Sequence, residues 1–128
     1  VAMRDPDRTA DFDRAMADLR VFLNLVGDTC GSERDRDILI QRKTGRLYAV
    51  DFSRAFAPTK GTVLGCEIRS CSRSFYHKLL DWNKKSVRAL VAPYLNEEEV
   101  QALEARVGSV LQMIRTLIET RGEGAVLF

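Results

Sequence analysis

The sequence predicts an α+β fold that is mostly α, with one short β-hairpin. Two stretches, near residues 10–26 and 97–121, repeat apolar side chains at three- and four-residue steps, the period of a helix packed on one side. Between them, two short apolar runs flank Gln41-Arg42-Lys43-Thr44-Gly45-Arg46, where Gly45 supplies the positive φ that a tight turn usually needs. At 128 residues the chain has the length of a single domain, expected to span 1–128.

Thr9 can cap the first helix, which is expected from Ala10 to Val26 with Phe12, Ala15, Met16, Leu19, Phe22, Leu23 and Val26 forming its stripe. Gly27 ends it. Residues 27–37 have no apolar periodicity and read as a polar loop. The hairpin pairs residues 38–40 with 47–50. Residues 57–72 are expected to be irregular, because Pro58, Gly61 and Gly65 break any pattern. Ser72 or Ser74 can cap a helix through Trp82, and a shorter helix over about 85–92 stops before Pro93. Asn96 and Glu99 form a capping box for the last long helix, which Gly122 terminates. The apolar tail, residues 125–128, should dock on the body rather than fray.

Hydrophobic residues make up 45% of the chain and charged residues 30%, the balance of a folded, water-soluble domain. No run approaches the roughly 20 apolar residues that span a bilayer. Residues 1–6 lack the apolar core of a signal peptide, and a start at Val1 points to a fragment or a processed chain. The net charge of +2 hides a pattern: residues 34–88 carry 13 basic and 5 acidic side chains, between two ends that are each acidic by three. A basic middle suits a phosphate-bearing or acidic partner, or is a solvated surface. Three cysteines are too few and too odd in number for a disulfide-built scaffold, so reduced thiols in a cytoplasmic protein are expected. Cys66, Cys71 and His77 do not have a standard zinc spacing and lack a fourth ligand, so zinc is not expected.

Helix, polar loop, tight hairpin, Asp at the hairpin's exit and then helices is an order that phosphoryl transfer uses. A loop there supplies a base Asp and a metal-binding Asn; the hairpin returns the chain, and a second metal-binding Asp stands at its exit. The corresponding positions are Asp37 and Asp51. The segments LRVFLNLVGDT and ILIQRKTGRLYAVDFSRAF, with PYLNEEEVQALEAR and the closing ETRGEGAVLF, resemble a family of bacterial uncharacterised proteins with a kinase-like fold. That family is distantly similar to HipA-like and type II phosphatidylinositol kinases. The resemblance runs from about Phe12 to Phe128 and implies the helical C-terminal lobe of a kinase-like protein. Two lobes would need roughly twice this length.

The departures from the family's pattern are informative. Where its loop reads Gly-Asn-Thr-Asp-Arg, this chain has Gly27-Asp28-Thr29-Cys30-Gly31. The base Asp falls on Cys30, or on Ser32 by counting back from Asp37, and neither is an Asp. Asp37 stands where the metal-binding Asn is expected and can still ligate magnesium; Asp51 is unchanged. Arg54 is a candidate phosphate contact, or a bridge to Asp37 or Asp51, with Arg34 and Arg36 as further candidates to sit between the two carboxylates. Without the resemblance, Asp51 reads as a strand-exit turn residue.

The expected function is therefore a degenerate kinase-like domain with a weak Mg and ATP-phosphate site, inactive alone and kinase-like if completed by an N-terminal lobe from a partner. The alternatives are a non-catalytic protein-interaction subunit that uses the helical lobe for docking, and a basic nucleic-acid module around Trp82, Lys84, Lys85 and Arg88.

Overall fold

Helix α1 covers Ala10–Val26, the span expected, with Asp11 and Asp13 in its first turn facing the positive end of the helix dipole. The structure is a computed structural model that describes residues 10–28, 38–41, 43, 44, 46–50, 55, 56, 58, 66–85 and 87–128. Gly27 takes φ +69° and the Asp28 N–H donates back to the Leu23 carbonyl at 3.0 Å, so α1 closes in a left-handed cap.

Strands β1 (Ile38–Gln41) and β2 (Arg46–Ala49) pair antiparallel, with Ile38 opposite Ala49, Leu39 opposite Tyr48, Ile40 opposite Leu47 and Gln41 opposite Arg46. The second strand starts and ends one residue earlier than expected. Thr44 explains the shift: its hydroxyl donates to the Gln41 side chain and accepts from the Arg46 N–H, drawing Arg46 into the ladder. Alternation then turns Ile38, Ile40, Leu47 and Ala49 to one face and Leu39 and Tyr48 to the other. β2 packs against α1.

Helix α2 (Arg73–Lys85) is capped by Ser72, whose hydroxyl accepts from the Phe75 N–H, so Ser72 rather than Ser74 fills that role. It runs three residues past Trp82, where Asp81 and Lys85 form an i,i+4 ion pair. Because α2 retains Lys85, the next helix, α3, is only Arg88–Val91, shorter than the stretch expected. Helix α4 (Glu97–Arg121) has the full capping box: the Asn96 side chain accepts from the Glu99 N–H, and the Glu99 carboxylate accepts from the Asn96 N–H, both at 2.9 Å. Gly122, at φ +88°, ends it, and one turn follows as α5 (Glu123–Val126).

The tail docks as expected. Cys71 donates to the Val126 carbonyl, Phe128 donates to the Cys71 carbonyl, and Arg73 donates to the Phe128 carbonyl. Val126 and Leu127 are buried in one cluster with Val21 and Leu25 of α1, Leu79 of α2, and Leu103, Val107, Val110, Leu111 and Ile114 of α4. Phe12, in the first turn of α1, is half-buried, so α1 enters this core through its C-terminal half. The Arg14 guanidinium lies 5.6 Å from the centre of the Phe128 ring, a second link between α1 and the tail. Among the described residues, no helix is long and apolar enough to cross a membrane.

Candidate functional site

A helix leaves its last carbonyls without partners of its own, and at the end of α1 these carbonyls gather distant parts of the chain. The Leu25 carbonyl accepts from Arg106 Nε of α4 at 2.8 Å, and the Val26 carbonyl accepts from the Phe56 N–H. Asn24, buried, donates through Nδ2 to the Arg20 carbonyl and, at 2.7 Å, to the Cys66 carbonyl. Segments around residues 28, 56, 66 and 106 therefore meet at one helix terminus.

The geometry there is close. A Cβ on Gly27 would lie 3.0 Å from Arg106 Cζ, so the absence of a side chain lets the guanidinium reach under the turn. Arg106 and Asp28 are both fully buried, and burial pushes the Arg106 pKa below its ordinary value. Phe56 holds φ +62°, an uncommon conformation for an aromatic residue, stabilised by its bond to Val26.

The hairpin register brings Ile38 and Ala49 together at the end of the ladder opposite the turn. In sequence, Asp37 precedes Ile38 and Asp51 follows Val50. Cys30, Ser32, Asp37, Asp51 and Arg54, with Arg34 and Arg36, lie outside the described residues; Asp28, Ile38, Val50 and Phe56 flank them. On the outer face of the hairpin Leu39, Tyr48 and Val50 are 49%, 46% and 42% exposed, a row of apolar side chains on a surface where single ones are ordinary. The Arg46 guanidinium lies 5.9 Å from the Tyr48 ring centre on the same face.

A separate open cleft of about 660 Å³ runs between α1, the inner face of β2 and Phe75. Its walls include Ala15, Leu19, Phe22, Leu47 and Ala49, and its charged rim is Asp11, Asp18 and Arg46. Asp18 is engaged there, accepting from the Ser72 N–H at 2.7 Å, where it holds the start of α2. The cleft thus has apolar walls and a polar rim, of which Asp18 is committed to the start of α2.

The remaining sequence candidates are placed as follows. Cys66 is in a disulfide, which corrects the expectation of reduced thiols: an odd cysteine count excludes complete pairing but not a single bond. Cys71 is a free buried thiol, pushed up to about 11 by burial and by the nearby Asp18 carboxylate. His77 is exposed on α2. Among the described residues, no group of three or more His, Cys, Asp or Glu is arranged to hold a metal.

In the basic patch, Lys85 pairs with Asp81, while Arg88 bonds Glu97 at 2.6 Å and Glu104 at 2.7 Å. Those two carboxylates push the Arg88 pKa up. Trp82 is half-buried, edge-on to Phe75. Two of the three cations are thus matched by carboxylates of the chain itself, which weakens the nucleic-acid reading.

Sequence reading missed Asn24 and Arg106. For Arg106 the signal was a charged residue inside an apolar stripe, one turn from Leu103 and Val110; for Asn24 it was a lone polar residue in the otherwise apolar run of residues 21–26. Comparison with protein-family models, with curated proteins and with solved structures found no match.

Proposed function

We propose that the chain is a degenerate kinase-like domain that retains a weak magnesium and nucleotide-phosphate site at Asp37 and Asp51 and transfers no phosphate by itself. The observation that carries this reading is the hairpin register. Ile38 and Ala49 are cross-strand partners, so their Cα atoms lie about 5 Å apart. Asp37 is one peptide from Ile38 and Asp51 two from Ala49, each step about 3.8 Å. The described strand ends Ile38 and Ala49 thus stand side by side, and the two acidic residues lie one and two positions from them in sequence, which supports the reading. Phe56, two residues beyond Arg54 in sequence, bonds the Val26 carbonyl at the terminus of α1.

Two carboxylates are hard oxygen donors that suit Mg²⁺, an ion that usually completes its shell with water and substrate phosphate. When bound, it would neutralise charge on the nucleotide phosphates. Asp37 and Asp51 would hold the ion, and Arg54 would contact a phosphate or bridge the carboxylates when the ion is absent. At the base position Cys30 or Ser32 offers no carboxylate to accept the substrate's proton, which lowers the rate by orders of magnitude. The exposed row Leu39, Tyr48 and Val50 supports completion by a partner lobe. The same row is the observation favouring a second reading, a non-catalytic subunit that docks another protein through this face.

Unfolding temperature measured with millimolar Mg·ATP tests the site. A rise that is lost in Asp51→Asn is expected, together with no ATP hydrolysis above a buffer blank. Absence of any rise removes the nucleotide site and leaves the docking reading; hydrolysis abolished by Asp51→Ala shows an active enzyme and overturns the degenerate assignment.

A further inference from the structure

We infer that Arg106 is a positioning residue: through the last turn of α1 it sets where Asp28 and Phe56 stand, the two residues that border the polar loop and the Asp51 segment. The role in positioning a site rests on the kinase-like reading; the mechanical coupling does not. Arg106 is 1% exposed in the middle of α4, where an apolar side chain would fill the stripe without desolvating a cation. Its Nε bonds the Leu25 carbonyl, and the bare Gly27 backbone lets its guanidinium lie against the turn from which Asp28 departs. The next carbonyl, that of Val26, receives Phe56. One side chain from the middle of the long helix thus braces the turn on which both bordering residues hang. Its partner lies 81 residues away in sequence, so the brace is a tertiary contact.

Residue-resolved amide hydrogen exchange on the full chain tests the coupling, because the Asp28 and Phe56 amides each report one bond at this terminus. In Arg106→Met, protection of both amides should fall about tenfold relative to the Val110 and Leu111 amides of α4. Val107→Ala, a cavity in the same helix, should instead lower protection only as far as global stability falls. Should Arg106→Met fail to fold, Arg106→Lys gives the same comparison, keeping the charge while losing the planar donor. A uniform loss, like that of Val107→Ala, or unchanged Asp28 and Phe56 protection overturns the inference. Mg·ATP provides the second arm: the rise in unfolding temperature should shrink in Arg106→Lys, and an unchanged rise removes the positioning role. No rise in the unaltered protein overturns the site reading alone, and the exchange ratio still decides the coupling.

Discussion

Cys71 shows how one residue's chemistry follows from its surroundings. Its thiol is fully buried, its backbone bridges to the tail at Leu127, and its pKa stands near 11 rather than 9. The folded state thus holds the proton more tightly than the unfolded state does. Stability from this group is complete below about pH 9 and is lost as pH rises from 9 toward 11. Denaturation midpoints measured across that window should fall, and a Cys71→Ser variant should remove that part of the pH dependence. At pH 8 a thiol reagent should leave Cys71 unmodified in the folded protein and react in denaturant. Rapid modification of the folded protein would mean that the tail opens readily.

Among the elements, α4 was the most legible in the sequence, because both of its ends are decided by near neighbours. Asn96 and Glu99 satisfy one another's N–H groups within a single turn, and Gly122 permits the positive φ at the other end. Replacing Asn96 by alanine should cost about 1 kcal/mol, read as a lower urea midpoint with an unchanged slope. An unaffected midpoint would show that packing of the α4 stripe alone holds the first turn. The hairpin was legible to within one residue, the difference lying in the Thr44 side chain that closes the turn. The short helix α3 was overextended because apolar periodicity does not reveal that α2 continues through the Asp81–Lys85 pair.

At the scale of the whole molecule, the tail closes the core. Val126 and Leu127 are buried against α1, α2 and α4, and three backbone hydrogen bonds hold the tail against residues 71–73. Deleting residues 125–128 should cost on the order of a few kcal/mol, since two buried aliphatic side chains leave the core together with those bonds. Leu127→Ala alone should cost about 2–4 kcal/mol. An unfolding midpoint that does not move in either variant would show the tail to be dispensable.

The sequence alone determined what short-range forces decide. Helix and turn positions follow from apolar spacing and from caps that lie within four residues of the groups they satisfy. Docking of the tail could also be expected, because a run of four residues ending in Val126, Leu127 and Phe128 is poorly accommodated in water. Only the tertiary structure decided what meets the terminus of α1. Asn24 reaches the Cys66 carbonyl across 42 residues and Arg106 reaches the Leu25 carbonyl across 81. Nothing local at either position specifies its partner. A polar side chain on a buried stripe must find a hydrogen bond somewhere, and only the packing of the whole chain determines which carbonyl stands within reach.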